Sequence, residues 1–249
     1  MRLIDGEGDH LPGLELEDFA GRWLLSTRDR QPPPEMLAWL RDQKRCVYWK
    51  RLDQQQKESP VHLCGPEQDE PFEIHESGLT FEISFRSGYS QGIFLDQRDN
   101  RAALRERLAP GQTLLNTFAY TCSFSVVGAL AGAETVSVDL SRKSLDRGKE
   151  NFALNGIADK GHRFIADDTL ELLPKFDSKG ERFDLIILDP PTFSRGNNGR
   201  RWQVEQHFED LLCAALEVAM PKCAILLSTN CTKLNPVALE HMARLCVKG

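Results

Sequence analysis

The chain has 249 residues, of which 41% are hydrophobic and 27% charged, and its formal net charge is −6 at pH 7. This composition is typical of a globular protein of one or two domains, and no apolar run approaches the length of a membrane span. The negative charge excludes nonspecific nucleic-acid binding by the whole surface but not by a local basic face.

The first 85 residues predict a small mixed α/β domain. Strands are predicted at Arg22–Thr27 and Cys46–Arg51, separated by a proline stop and a short helix over Glu35–Gln43. Phe72–Phe85 alternates about a Ser-Gly turn, which is typical of a hairpin, and the polar stretch Gln54–Pro71 predicts an exposed loop.

Residues 86–249 predict a second domain, in which helices and strands alternate from about Asp96. The predicted strands are Thr113–Phe118, Thr135–Asp139, His162–Ala166, Phe183–Leu188 and Ala224–Thr229. The predicted helices are Asp96–Leu108, Ser123–Ala131, Ser141–Asn155, Thr169–Leu173, Gln203–Ala219 and Pro236–Val247. This alternation indicates an α/β fold with right-handed crossovers and a parallel sheet covered on both faces.

Polar residues gather where these strands end, at Asn116–Thr121, Asp139, Asp167–Asp168, Asp189 and Asn230. Ligands of open parallel sheets bind beyond the carboxyl ends of the strands. One acid at a strand end is often only a helix cap, and Asp139 before Ser141 fits that role too. A row of polar residues on one edge favours a binding site.

The stretch LIILDPPTFSRGNNGRR, residues 185–201, ends an apolar strand in an acid and two prolines. Pro190 and Pro191 stop the strand and stiffen the start of the next loop. Asp189 then lies where an α/β enzyme holds a polar group of its substrate, although an ordinary strand-ending turn has the same residues. The loop itself carries Arg195, Arg200 and Arg201 with no acid among them.

The seven cysteines are scattered, odd in number and without a Cys-x-x-Cys pair. This pattern predicts reduced thiols in a cytoplasmic protein, with no disulfide framework and no metal site. The N-terminus, MRLIDGEGDH, has no signal-peptide pattern.

Three segments resemble S-adenosylmethionine-dependent methyltransferases of the Rossmann-like class I: NTFAYTCSFSV (116–126), SVDLSRKSLDRGKENFALNG (137–156) and FDLIILDPPTFS (183–194). More narrowly, they resemble the bacterial large-subunit (23S) ribosomal RNA methyltransferases that modify cytosine C5 or guanine N7. Residues 88–101 and 6–14 resemble that group's lead-in to the catalytic domain and the start of its central domain. The resemblance spans nearly the whole chain and implies a class I methyltransferase sheet behind a small N-terminal α/β domain, a candidate RNA-binding domain.

The chain also departs from the family pattern. Most methyltransferases have glycines in the first loop; in this group two of those positions are aromatic, as at Phe118 and Tyr120, and the last is usually Gly where this chain has Cys122. The group's frequent N-terminal PUA domain is absent. The final antiparallel hairpin of the fold is also missing, so we expect a truncated or incomplete chain.

By this resemblance the cofactor is S-adenosylmethionine. Asp139 would accept hydrogen bonds from both ribose hydroxyls, because a carboxylate has two acceptor oxygens. Asp167 would take the adenine amino group, with Asp168 beside it. The other residues implied at the cofactor are Asp96, Gln97, Arg98, Asn116, Thr117, Phe118, Tyr120, Thr121, Cys122, Ser123, Leu140, Ser141 and Asp189.

The resemblance also implies how an RNA base would be held. Asp189, Pro190 and Pro191 would present a carboxylate and backbone carbonyls to the base. Phe193 would stack on it, or alternatively anchor the loop as a core residue. Arg195, Arg200 and Arg201 would contact the flanking phosphates of ribosomal RNA.

Two chemistries stay open. Cytosine C5 enzymes attack the base with a cysteine; here Asn230 stands at the expected position and Cys231 falls one residue late. The Ser-x-Asn pattern and Asp-Pro-Pro-Thr-Phe-Ser look more like the guanine N7 branch, which needs no covalent step, and we favour that reading.

Two other classes of protein compete with a methyltransferase. One is a noncatalytic RNA-binding module of the same fold. Two features favour it, Cys122 and the missing hairpin. The other is a nucleotide-cofactor oxidoreductase, which needs a Gly-x-Gly-x-x-Gly loop that this chain lacks.

Overall fold

The structure, a computed structural model, describes residues 1–52, 58–195, 201–231 and 233–248. The chain divides into two compact units, Met1–Arg98 and Asp99–Gly249. This division comes later than the boundary expected after residue 85, because the segment after the hairpin packs with the first unit.

The first unit contains a five-stranded sheet of order β1-β2-β3-β4-β5. Its strands are β1 Arg2–Asp5, β2 Leu14–Phe19, β3 Arg22–Thr27, β4 Cys46–Arg51 and β5 Val61–Cys64. Helix α1, Pro34–Asp42, connects the parallel pair β3 and β4, and the other neighbours are antiparallel. A separate hairpin pairs β6, Phe72–Glu76, with β7, Leu79–Ile83.

The predicted strands β3 and β4, the helix and the hairpin are confirmed. The sequence prediction misses β1 and β2, and it is wrong in treating all of Gln54–Pro71 as a loop, because β5 lies within it. β5 is a four-residue edge strand with an irregular register against β4. Such short edge strands carry little alternation that a sequence pattern can detect.

The second unit contains a fully parallel sheet of order β10-β9-β8-β11-β14. Its strands are β8 Thr113–Thr117, β9 Glu134–Asp139, β10 His162–Ala166, β11 Phe183–Leu188 and β14 Ala219–Leu227. The helices are α2 Arg98–Arg107, α3 Ser123–Leu130, α4 Arg142–Leu154, α5 Thr169–Ser178, α6 Val204–Glu217 and α7 Pro236–Lys248. A small hairpin, β12 Phe193–Arg195 and β13 Arg201–Gln203, comes after β11.

Both faces of the central strands are buried. Leu114 and Leu115 on β8, and Ile186 and Ile187 on β11, are each 0% exposed. Adjacent residues of a strand point to opposite faces, so these pairs require a covering layer on each side. The predicted α/β fold class, Rossmann-like with a parallel sheet, is confirmed.

One strand and one cysteine prediction differ from the structure. β14 begins at Ala219, five residues before the predicted start, because its pairing with β11 is interrupted by a bulge. The prediction of reduced thiols throughout is wrong for Cys213 on α6 and Cys246 on α7, which form a disulfide with a Cα–Cα distance of 5.4 Å. Counting cysteines along the sequence cannot reveal that two helices bring a distant pair together. Among the described helices, none is long and apolar enough to cross a membrane.

Candidate active site

The carboxyl ends of the second unit's strands form one edge. Thr117 of β8 pairs with Val138 of β9 on one side and with Leu188 of β11 on the other. The loops that leave these strands therefore start side by side. The predicted row of polar residues is brought together at this edge by the parallel register.

The loop after β8 has an unusual backbone. Phe118, Tyr120 and Cys122 have φ values of 53°, 49° and 60°, in the left-handed region. A side chain there costs on the order of 1–2 kcal/mol per residue relative to glycine. Glycine is the residue that adopts this conformation at little cost, so the loop has this backbone shape without the residue that most readily provides it.

Hydrogen bonds hold this loop in place. The Tyr120 N–H donates to Asp139 Oδ2 at 2.8 Å, the Ala119 N–H donates to the Val138 carbonyl at 2.9 Å, and Asn151 Nδ2 donates to the Thr121 carbonyl at 3.0 Å. Contacts from β9 and α4 thus stabilise a strained conformation.

Cys122 is part of that packing. It is 0% exposed, and a Cβ built on Gly148 of α4 would lie 2.4 Å from its sulfur. Burial raises the pKa of the Cys122 thiol to about 12, so the thiol is neutral at physiological pH. Cys122 therefore fills the space that a glycine at 148 leaves, and its sulfur is a packing group.

Two further loop residues use their side chains inside the fold. Asn116 is buried and donates from Nδ2 to Ser125 Oγ at 2.9 Å, and Ser137 Oγ donates to the same oxygen at 2.8 Å. Thr117 Oγ1 donates to the Ile187 carbonyl at 2.6 Å. Both side chains are therefore used within the fold, and both residues pair with β9 and β11 in the sheet.

Asp139 lies at the end of β9 and is half-buried. Its Oδ2 accepts from Tyr120 N–H and its Oδ1 accepts from Ser141 N–H, both at 2.8 Å. Burial raises the pKa of this carboxyl, and the two hydrogen bonds oppose that shift. Each carboxylate oxygen has a second lone pair, so Asp139 can still accept two hydrogen bonds from a ligand. The cap of α4 is Ser141, which accepts from Ser144 N–H at 3.1 Å.

The two acids after β10 have different local roles. Asp168 caps α5 and accepts from Leu170 N–H at 3.0 Å. Asp167 is bound by Lys175 Nζ at 3.0 Å, and this hydrogen bond lowers the pKa of its carboxyl. Of these two acids, Asp167 is therefore the one that does not cap a helix.

A small cavity lies beside these strand ends. Its walls come from the β8 loop, the residues after β9 and β10, and the β12–β13 hairpin; they are Phe118, Leu140, Asp168, Thr169, Leu170, Ser194, Arg201 and Trp202. Four of these residues are polar, among them the carboxylate Asp168 and the cation Arg201, and the space between the walls is about 20 Å³, enough for about one water. A flat ring can pack on the apolar residues at its edge but does not fit inside it. The sequence analysis misses four wall residues, Thr169, Leu170, Ser194 and Trp202. The one signal in the sequence for any of them is that Trp202 directly follows a polar loop that contains arginines.

The segment after β11 is fixed by the fold on both sides. Pro190 is buried, and the Pro191 carbonyl accepts from Trp202 Nε1 at 2.8 Å. The Val204 N–H donates to the Thr192 carbonyl at 3.1 Å. The Pro191 carbonyl that the sequence assigns to a substrate base is thus already engaged within the protein. Phe193 is 49% exposed, which leaves its ring accessible.

The arginine cluster is only partly described. Arg201 begins β13 and is exposed. Arg200 and the side chain of Arg195 lie outside the described part of the chain. Contacts of these arginines with phosphate stay a prediction.

Asp96, Gln97 and Arg98 belong to the first unit. Asp96 and Gln97 lie in a short 3-10 helix, Leu95–Gln97, where Gln97 is buried and Asp96 exposed, and Arg98 is the first residue of α2. Their contact with a cofactor stays a prediction.

Cys231 lies after β14 and is 7% exposed. Its thiol donates to Glu205 Oε1 at 3.6 Å, and Lys233 Nζ binds the other oxygen of that carboxylate at 3.1 Å. Asn230, one residue earlier, is exposed. The residue at the position expected for a nucleophile is therefore the amide, and the thiol is turned into the protein.

Comparisons with known proteins place this site among methyltransferases. A family model described as S-adenosylmethionine-dependent methyltransferase matches residues 1–247. YwbD of Bacillus subtilis, a candidate ribosomal RNA large subunit methyltransferase, is 35% identical over 92% of this chain and 60% of its own length. Ribosomal RNA large subunit methyltransferase I of Yersinia pseudotuberculosis is 32% identical over 96% of this chain and 62% of its own.

A solved structure has the same fold. SMU.776, a candidate methyltransferase crystallised with SAH, superimposes with a TM-score of 0.88 and 29% identity, over 97% of this chain and 64% of that one. The chain therefore spans about three-fifths of the length of these relatives.

Proposed function

The chain belongs to the S-adenosylmethionine-dependent methyltransferase family, and on that basis we propose that it methylates a base of large-subunit ribosomal RNA. The observation that carries the proposal is Asp139, a half-buried carboxylate with one lone pair used on each oxygen and one left for a ligand. The names of the curated relatives support ribosomal RNA as the substrate.

The residues at the strand ends fit the cofactor of this family. Asp139 would accept hydrogen bonds from the two ribose hydroxyls, and the adenine ring would pack against Leu140 and Phe118, which line the adjoining small cavity. Asp167 would accept from the adenine amino group. The backbone of the strained loop at 116–123 would surround the methionine part, as the glycine-containing loops of the family do.

S-adenosylmethionine supplies an activated methyl group that leaves by in-line displacement. The protein then has to hold the accepting atom in line with that group. Asp189 would orient the base through its carboxylate, and the Pro190–Pro191 backbone would fix the position of that carboxylate. Phe193, half exposed, would stack on the base. Arg195, Arg200 and Arg201 would contact the phosphates beside it.

We favour transfer to guanine N7 over cytosine C5. A ring nitrogen with a lone pair attacks the methyl group directly, whereas C5 chemistry requires a cysteine nucleophile. The buried Cys231 thiol, hydrogen-bonded to Glu205, is placed for packing rather than for attack on a base.

A noncatalytic RNA-binding module is the competing function. One argument for it is Cys122 in place of a loop glycine, but the structure accommodates Cys122 against Gly148 in the same backbone conformation. Cys122 therefore does not favour a noncatalytic module.

Mass spectrometry of ribosomal RNA nucleosides tests the proposed function. Cells with and without the gene should differ in one methylated nucleoside, expected to be 7-methylguanosine, and the purified protein should restore it in the presence of S-adenosylmethionine. Identical nucleoside profiles, with no binding of S-adenosylmethionine in isothermal titration, would refute the proposal.

A further inference from the structure

Trp202 lies at the junction between the two halves of the candidate site. It is 6% exposed and forms part of β13, opposite Ser194 of β12. Its ring contacts Phe118 at a centroid distance of 5.9 Å and stacks on His207 at 5.5 Å. Trp202 thus belongs to the hydrophobic core of the second unit, together with Leu115 and Phe208, and two of its partners bear on the candidate site.

One of these partners is the segment after Asp189. Trp202 Nε1 donates to the Pro191 carbonyl at 2.8 Å. Proline fixes its own φ, so the remaining freedom of Pro191 is the rotation that sets the direction of its carbonyl. The indole hydrogen bond fixes that rotation, and with it the path of the chain between Asp189 and Phe193.

The other partner is the loop after β8. Phe118 is the first of the three left-handed residues, and it shares the walls of the small cavity with Trp202 and Leu140. A ligand that packs on Phe118 would therefore act on Trp202 through this ring contact. A movement of Trp202 would in turn displace the Pro191 carbonyl.

We propose that Trp202 is a positioning residue that couples the loop after β8, where the cofactor would bind, to the segment holding the target base. It aligns Asp189 and Phe193 through the Pro191 carbonyl only while its ring is packed between the hairpin and Phe118. This inference rests on the proposed function, and it assigns to that site a residue outside the strand-end motifs.

The variant Trp202→Phe separates coupling from packing, because it keeps an aromatic ring and removes the N–H donor. We expect kcat for methylation of ribosomal RNA to fall about tenfold, the size expected for one lost hydrogen bond. The Kd for S-adenosylmethionine in isothermal titration should stay within about twofold. A purely structural role would instead change folding stability and leave kcat of the folded enzyme intact.

Fluorescence gives a second, independent readout. The chain has four tryptophans, of which Trp23, Trp39 and Trp49 lie in the first unit and Trp202 in the second. S-adenosylmethionine should change the emission of the wild-type protein and of Trp39→Phe, the control, but not that of Trp202→Phe. Thermal unfolding of each variant verifies that it is folded.

The outcomes distinguish the two proposals. Wild-type protein that neither binds S-adenosylmethionine nor methylates RNA would defeat the proposed function. An active wild type together with a Trp202→Phe variant that retains wild-type kcat and the wild-type emission change would overturn the role of Trp202 alone.

Discussion

Two neighbouring loops at the same sheet edge are made rigid in different ways. The loop after β8 holds three left-handed residues by hydrogen bonds from β9 and α4, centred on Asp139. The segment after β11 is held by two prolines and by an indole hydrogen bond from a hairpin. In the first loop the group that would bind the ligand, Asp139, also stabilises the loop, whereas in the second the indole that fixes the Pro191 carbonyl comes from a different element.

The largest effect is expected at Asp189, at the start of the segment after β11. Asp189→Ala should leave the prolines and the Trp202 hydrogen bond to Pro191 in place, so the fold should persist. At saturating S-adenosylmethionine, methyl transfer should still fall about a hundredfold or more, because the base is no longer aligned. Single-turnover methylation measures this loss and thermal unfolding verifies the fold; a folded variant with wild-type methyl transfer would remove Asp189 from the site.

Asp139→Ala should have a smaller effect, and its main effect should be on the affinity for S-adenosylmethionine. S-adenosylmethionine binding should weaken by roughly 1.5–3 kcal/mol, the range for hydrogen bonds to a charged group. The free energy of unfolding should change as well, since Tyr120 and Ser141 lose an acceptor. Titration calorimetry and urea unfolding check the two effects, and unchanged affinity in a folded variant would remove Asp139 from the site.

The same carboxyl predicts a pH dependence. Burial raises the pKa of Asp139, so it is protonated at a higher pH than an ordinary aspartate, whose pKa is about 3.9. Cofactor affinity should therefore fall as the pH is lowered through that raised pKa. Folding stability has the opposite dependence: the native state binds this proton more tightly than the unfolded chain, so stability falls as pH rises through the same range. Asp139→Asn should lack this contribution in both measurements, while groups such as Asp167 continue to titrate.

Gly148→Ala tests how tightly the first loop is supported. A Cβ at 148 would lie 2.4 Å from the Cys122 sulfur, and such overpacking typically costs about 1–3 kcal/mol of unfolding free energy. The double variant Cys122→Gly/Gly148→Ala should recover part of that loss in urea unfolding. A Gly148→Ala protein as stable as the wild type would mean that α4 does not clamp the loop.

The smallest effect is expected at Cys231. Because its thiol is buried and hydrogen-bonded to Glu205, Cys231→Ala should keep most methylation activity. RNA containing 5-fluorocytidine should form no covalent adduct with the wild type. An adduct that disappears in Cys231→Ser would establish cytosine C5 chemistry and leave the methyltransferase assignment intact.

The sequence predicts the sheet well because its signals are local. Buried strands such as β11 are apolar runs that end in an acid or a proline, and the parallel order then brings Asp139 and Asp189 to one edge. The features it misses depend on contacts between distant residues. The bond from Trp202 to Pro191, the packing of Cys122 on Gly148 and the Cys213–Cys246 disulfide join positions with no shared pattern along the chain.

The loop after β8 also shows that a motif can be defined by its backbone conformation instead of its residues. Phe118, Tyr120 and Cys122 occupy a backbone conformation that glycine adopts at little cost. A search for alternating glycines would pass over this chain, while a search for three alternating left-handed residues after the first parallel strand would find it. The loop of this protein is therefore recognised by its dihedral angles rather than by its amino acids.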